Sequence, residues 1–90
     1  MLEREIRIVN PLGLHARAAA KLVRLSRKFS SRILLEHRES NATANAKSML
    51  SILAIAAGIG SRLFLVADGP DETEAIAAIE ELIGDGFGEI

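Results

Sequence analysis

The first residues of the chain alternate between apolar and charged side chains. Leu2, Ile6 and Ile8 occupy alternate positions with charged residues between them, and Arg4 is the one exception. Alternate residues of a strand point to opposite faces, so this pattern predicts a strand with one buried face. The segment Asn10–Gly13 ends this strand, because it contains both proline and glycine.

Side chains then recur at helical spacing from Ala16 to Phe29. The buried stripe is predicted to consist of Ala19, Leu22, Val23, Ser26 and Phe29. A second side of the same segment carries Arg17, Lys21, Arg24 and Lys28. Residues three and four apart share one face of a helix, so this segment is predicted to be an amphipathic helix.

Two strands joined by a turn follow the first helix. Ile33 and Leu35 lie two apart within Ser31–Arg38, which predicts a second strand. Glu39–Asn41 has the composition of a turn, and Ala42–Ala44 is predicted to be a short third strand.

A short helix and a fourth strand come next. Lys47–Ala57 is rich in apolar residues without strand alternation, which favours a helix, and Gly58 and Gly60 are expected to end it. Arg62–Ala67 is apolar on both faces and predicts a strand.

The remaining residues predict a third helix with Pro70 at its first position. Acidic side chains then complement the positive helix end. They are Asp71, Glu72 and Glu74. The buried stripe is predicted to consist of Ile76, Ile79, Leu82 and Ile83. Glycines at positions 84, 86 and 88 indicate a frayed tail.

The predicted order is β-α-β-β-α-β-α within a single domain that spans residues 1–90. Each helix has one stripe to bury, so the expected fold is α+β: an open-faced β-sandwich with a four-stranded antiparallel sheet and three helices on one face. On the other face, Leu34, Phe64 and Val66 form a candidate apolar patch for self-association.

Composition and charge exclude several classes of protein function. The 90 residues carry a net charge of −1, which removes the overall electrostatic argument for nucleic-acid binding. The chain has no cysteine, so a disulfide scaffold is excluded and a cytoplasmic location is expected. No segment suits a signal peptide or membrane insertion. His37 has no ligand cluster around it in the sequence, so neither a metal nor a cofactor is expected.

The chemistry is expected at His15, directly before the first turn of helix one. Unpaired backbone N–H groups of a first helical turn, together with the helix dipole, form an anion site. The same positive end disfavours an imidazolium ion, so the ring keeps a lone pair for attack on phosphorus. Arg17 offers a fixed cation for phosphate oxygens. We therefore predict His15 and Arg17 as the reacting pair, with Ala16 and Arg17 binding phosphate.

The sequence resembles the HPr family, the histidine-containing phosphocarriers of the phosphoenolpyruvate-dependent phosphotransferase system. The segment Asn10–Val23, NPLGLHARAAAKLV, is similar to the family's active-site signature. Asn45–Leu50, with Gly58–Gly60 after it, resembles the family's second helix and regulatory serine, and Gly69–Glu72 resembles the start of its last helix. Many members have proline where this chain has Ala18, a change that should preserve the helix start.

The resemblance implies a phosphocarrier, not an enzyme. It implies that His15 accepts a phosphoryl group at Nδ1 from enzyme I, itself charged by phosphoenolpyruvate, and passes it to an enzyme IIA-type domain. It also implies Ser48 as the target of an HPr kinase/phosphorylase, although an ordinary helix-start serine is an equal alternative. Sugar-transport and nitrogen-regulatory roles both remain open.

A partner surface is expected beside His15. Basic residues on helix one would contact acidic carriers, with an exposed Met49 and also Leu53 as the apolar centre. The predicted surface is Arg17, Ala20, Lys21, Arg24, Arg27, Met49 and Leu53. The alternative function is a regulatory interaction module of the same fold, switched by phosphorylation of Ser48. An RNA-binding domain is disfavoured, because Phe64 alone cannot form an aromatic stacking platform.

Overall fold

The computed structural model describes residues 1–89. The elements in chain order are β1 (Leu2–Arg7), α1 (Ala16–Ser26), β2 (Arg32–His37), β3 (Ala42–Asn45), α2 (Met49–Ile55), β4 (Arg62–Asp68) and α3 (Glu72–Gly84). Short 3-10 turns follow β2 at Arg38–Ser40 and α3 at Gly86–Gly88. The predicted order of strands and helices is confirmed.

The four strands form one antiparallel sheet in the order β1-β4-β2-β3. Ile6 pairs with Leu63, and Leu35 pairs with both Leu65 and Ala44. All five side chains are buried on the face that the helices cover. The predicted α+β open-faced sandwich is therefore confirmed.

Helix α1 buries the stripe that its spacing predicts, but it is shorter than expected. It ends at Ser26, and the next hydrogen bonds run from Lys28 N to Leu25 O at 3.1 Å and from Phe29 N to Ser26 O at 3.2 Å. These bonds span three residues rather than four, so the helix tightens into turns. Phe29 still packs against the core from beyond the helix end.

Helix α2 ends at an alanine and not at a glycine, so the prediction that Gly58 and Gly60 end it was wrong. Ala56 takes the left-handed conformation at φ 53° and donates its N–H to Leu53 O at 3.2 Å. Gly60, with φ +84°, lies instead in the connection just before β4, where its N–H donates to Ile8 O at 2.7 Å. Hydrogen bonding at the helix end outweighs the unfavourable left-handed backbone of alanine.

Two predictions for the third helix were wrong. Pro70 precedes the helix, which begins at Glu72. The tail is ordered, because Phe87 is fully buried within the core cluster. Phe87 itself adopts φ 56°, which turns its side chain back under the helices and brings the following residues towards the start of α1.

The outer face of the sheet is not the exposed apolar patch that was predicted. Val66 is only 7% exposed, and Leu34 pairs with it across the sheet and is partly buried. The Arg38 guanidinium lies 3.5 Å from the centre of the Phe64 ring, and it also pairs with Glu3 at 2.6 Å. Charged side chains therefore cover much of this face.

Asp71 joins the start of β2 to the start of α3. Its carboxylate accepts hydrogen bonds from the backbone N–H groups of Ser30 and Ser31, each at 2.9 Å, and from the Ser31 hydroxyl. The Ser31 hydroxyl bond is the largest cause of a lowered pKa of Asp71, about 2 against an ordinary value of 3.8, and the two backbone bonds add to it. The charged form is therefore the one that holds the two loops together.

Asp71→Asn is expected to lower the urea midpoint of unfolding at neutral pH. Because the folded pKa lies below the unfolded one, the stabilising effect of Asp71 is present above about pH 3.8 and is lost as pH falls towards about 2. The difference between variant and wild type should therefore shrink across this window in urea titrations. Glu74→Gln, at an exposed position of α3, is the control. A difference that stays constant down to about pH 2 would contradict the account.

Candidate functional site

His15 lies directly before α1, as predicted. It is the N-cap residue, with an extended backbone at φ −74° and ψ 175°, and its carbonyl oxygen accepts the Ala19 N–H at 2.8 Å. The side chain does not cap the helix, so the imidazole stays available at the helix start. The ring is 23% exposed, which allows one edge to face solvent.

The turn before His15 is held by close backbone packing. Gly13 has φ +65°, and a Cβ added there would collide with Ala57 O and lie 2.7 Å from Gly58 Cα. The next residue, Leu14, donates its N–H to Ala57 O at 2.9 Å. Glycine is therefore required both for the conformation and for the approach of the α2–β4 connection.

A carboxylate from the end of the chain reaches the imidazole. Glu89 Oε2 contacts His15 Nε2 and lies 3.7 Å from an Arg17 guanidinium nitrogen. Its other oxygen, Oε1, accepts a hydrogen bond from Asn10 Nδ2 at 3.0 Å. The Asn10 bond is the largest cause of a lowered pKa of Glu89, and the contacts with His15 and Arg17 add to it.

This contact distinguishes the two ring nitrogens of His15. A carboxylate is an acceptor, so Glu89 favours a proton on Nε2. The neutral ring then has its lone pair on Nδ1, which has no hydrogen-bond partner among the described residues. In the neutral ring, Nε2 therefore carries the proton and contacts Glu89, and Nδ1 carries the lone pair that can act as a nucleophile.

The tail that delivers Glu89 is anchored at two points. The Phe87 side chain is fully buried, and Lys21 Nζ donates to the Phe87 carbonyl oxygen at 2.6 Å. The sequence predicted a partner-binding role for Lys21 but no function for Phe87 or Glu89. The one local signal in the sequence is a large aromatic residue, Phe87, between two glycines. The contact from Glu89 to His15 spans 74 positions, so no local pattern could predict it.

The predicted phosphate-binding residues lie together at the helix start. Ala16 is exposed, and the Arg17 side chain is 67% exposed beside the imidazole. Among the described residues, Arg17 has Glu89 as its ion-pair partner, and the 3.7 Å separation is long for a charge-assisted hydrogen bond. The guanidinium is therefore only weakly held by Glu89 and is largely open to solvent.

The predicted partner surface is only partly as expected. Arg24 and Arg27 are exposed, whereas Ala20 and Lys21 are half-buried. Arg27 donates twice to the Lys47 carbonyl oxygen, at 3.2 and 3.0 Å.

The apolar centre of that surface needs a correction. Met49 and Leu53 are partly buried and pack against the core, so the prediction of an exposed Met49 was wrong. Leu50 is the exposed apolar residue of α2, at 82%. Met49 and Leu53 lie four residues apart on one side of α2, and each packs against the core while part of its side chain remains exposed.

Ser48 and His37 have local structural roles. Ser48 is the N-cap of α2, and its hydroxyl accepts the Ser51 N–H at 3.3 Å. His37 Nδ1 shares a hydrogen bond of 2.8 Å with the Ser40 hydroxyl. No cluster of potential metal ligands is found within residues 1–89.

The fold and the site define a small α+β protein with a partly exposed imidazole at a helix start. The family model for the PTS HPr component phosphorylation site matches residues 2–85. The chain is 46% identical to phosphocarrier protein HPr of Cupriavidus necator, and the alignment covers 99% of this chain and 98% of that protein. It is 43% identical to the Treponema pallidum protein of the same name, with 99% of each chain covered.

A solved structure gives the same result. The crystal structure of HPr-C-His from Thermoanaerobacter tengcongensis superposes with a TM-score of 0.93 at 44% identity, covering 100% of this chain and 99% of that one. The chain therefore belongs to the HPr family, and its function is that of a phosphocarrier in the phosphotransferase system. Across residues 1–89, every helix is too short or too polar to cross a membrane.

Proposed function

We propose that His15 carries the phosphoryl group, taking it from enzyme I on Nδ1 and passing it to an enzyme IIA-type domain. The observation that carries this proposal is the contact of the Glu89 carboxylate with His15 Nε2 at the N-terminus of α1. It favours a lone pair on Nδ1 in the residue that directly precedes the unpaired N–H groups of the first turn. The reaction thus needs no rearrangement of protons on the ring before attack.

The transfer step follows from this arrangement. The Nδ1 lone pair of His15 forms a bond to phosphorus as the bond between phosphorus and the donor breaks, and that electron pair stays with the donor. The proton on Nε2 remains in place, so the phosphorylated ring gains positive charge, which the Glu89 carboxylate stabilises. Transfer to the acceptor reverses these changes, and the electron pair of the N–P bond returns to Nδ1.

The phosphoryl oxygens have two sets of donors. The N–H groups at the start of α1, including that of Ala16, provide a fixed partial positive charge. Arg17 adds a mobile cation that can leave Glu89 for the phosphoryl group. Catalysis is therefore positioning and charge stabilisation, as expected for phosphoryl transfer.

The basic side of α1 is the proposed docking surface for both partners, in the cytoplasm. Exposed Arg17, Arg24 and Arg27 would meet acidic groups on the carriers, and Leu50 joins Met49 and Leu53 as the apolar part. An HPr kinase/phosphorylase acting on Ser48 would have to break the cap bond to Ser51. The regulatory module switched by Ser48 is disfavoured, because the family model and the Cupriavidus necator and Treponema pallidum relatives point to a phosphocarrier.

The relay can be tested with purified enzyme I, phosphoenolpyruvate and an enzyme IIA domain. The phosphoryl group should reach the acceptor only when this chain is present, and substoichiometric amounts of the chain should be enough because it is regenerated in each cycle. Ser48→Ala is expected to relay as well as wild type. Uptake without onward transfer, or loss of transfer in Ser48→Ala, would contradict the proposal.

A further inference from the structure

Asn10 is a fully buried polar residue that the phosphocarrier chemistry described so far does not use. Its backbone oxygen accepts the Gly13 N–H at 3.1 Å, and its side-chain Nδ2 donates to the Gly13 oxygen at 2.8 Å. The second hydrogen of Nδ2 is donated to Glu89 Oε1 at 3.0 Å. One amide group therefore joins the turn before His15 to the tail that contacts His15.

The orientation of this amide is set by its neighbours. Gly13 O and Glu89 Oε1 are both acceptors of Nδ2, so a flipped amide would place Oδ1 against both of them. The side chain consequently keeps Nδ2 towards the site, and its Oδ1 has no partner among the described residues. A buried oxygen without a partner destabilises the fold, so packing alone does not account for an asparagine here.

The two oxygens of Glu89 have different partners. Oε1 is held by Asn10, and Oε2 contacts His15 Nε2. The Glu89 side chain is only 12% exposed, so water competes weakly for these oxygens. The amide thus fixes the rotation of the carboxylate, and the carboxylate fixes the proton of the imidazole. This is the arrangement by which an outer residue orients a histidine through its second nitrogen.

We propose that Asn10 is a positioning residue for phosphoryl transfer, holding Glu89 against Nε2 of His15 so that the ring presents its Nδ1 lone pair to phosphorus. The inference rests on the proposed role of His15. It adds that the tautomer of His15 depends on a residue that does not touch the imidazole. Asn10 acts through Glu89, and it does not contact the phosphoryl group.

The test compares the ring tautomer and the phosphorylation kinetics of Asn10 variants. Nitrogen-15 chemical shifts of the neutral His15 ring report the tautomer without any partner protein. Asn10→Ala and Asn10→Leu should both shift the ring from the Nε2–H form to a mixture. With enzyme I they should lower kcat by about ten- to a hundredfold and leave KM nearly unchanged, because the docking surface is intact. Asn10→Leu keeps the branched shape of the side chain and removes the unpaired oxygen, so it is expected to stay folded. An effect shared by both variants is then not explained by unfolding.

Ser26→Ala is the matched control. Ser26 is the other buried side chain with an unpaired oxygen among the described residues, but it lies at the far end of α1. It should change neither the tautomer nor kcat. A structural contribution of a buried polar group would instead give the same effect in both variants.

A double-mutant cycle shows whether Asn10 acts through Glu89. The double variant Asn10→Ala/Glu89→Ala should lose no more kcat than Glu89→Ala alone. Losses that multiply, or a pure Nε2–H ring in Asn10→Leu, would overturn the proposal. If wild type accepted no phosphoryl group, the proposed function would fail, and the tautomer comparison would still decide the role of Asn10.

Discussion

His15→Ala is expected to abolish acceptance of the phosphoryl group. The variant lacks the Nδ1 lone pair, and within residues 1–89 the structure places no other histidine at the start of α1. The fold should survive, because the His15 side chain does not cap the helix and is partly exposed. Intact mass after incubation with enzyme I and phosphoenolpyruvate gives the result directly.

The chain offers a control for this experiment. His37 is its only other histidine, and it lies at the end of β2 in contact with Ser40. His37→Ala should accept a phosphoryl group at the wild-type rate. Full uptake by His15→Ala, or loss of uptake in His37→Ala, would move the reacting residue away from the helix start.

Phe87→Ala is expected to lower the free energy of unfolding by about 3–5 kcal/mol, the usual cost of removing a buried phenylalanine. The ring is fully buried in the core cluster, and the variant leaves a cavity there. The tail also loses its main anchor, so Glu89 should leave His15. Urea unfolding followed by circular dichroism measures the first effect, and the nitrogen-15 shifts of His15 measure the second.

Leu50→Ala is the control for stability, because this leucine is 82% exposed. It should change the free energy of unfolding by no more than about 0.5 kcal/mol. An equally small change in Phe87→Ala would mean that the tail is not part of the core. The contact between Glu89 and His15 would then have no structural support.

Local patterns were enough to predict the strands and helices. The alternation around Ile6 and the helical spacing of Leu22 and Val23 describe which face of each element is buried, and these faces meet in one core. Element ends were less predictable. Ala56 takes a left-handed backbone that glycine usually supplies, and α3 begins only at Glu72, after Asp71, whose side chain binds Ser30 and Ser31.

The candidate site was only half predictable. His15 and Arg17 lie two positions apart in the sequence, so a helix start was enough to bring them together. Glu89 joins them through tertiary packing, because Phe87 folds back under the helices. Three nearby glycines predict a frayed tail by composition, and no local pattern reveals that one buried ring orders it. The role of Asn10 depends on the same long-range contact.

The most direct test of the account is to identify the atom that carries the phosphoryl group. Wild-type protein with nitrogen-15-labelled histidine is phosphorylated by enzyme I and phosphoenolpyruvate, and the coupling between phosphorus-31 and the ring nitrogens is measured. The account predicts coupling to Nδ1 of His15, with Nε2 protonated. Coupling to Nε2, or a phosphate ester on Ser48 without any phosphohistidine, would contradict it.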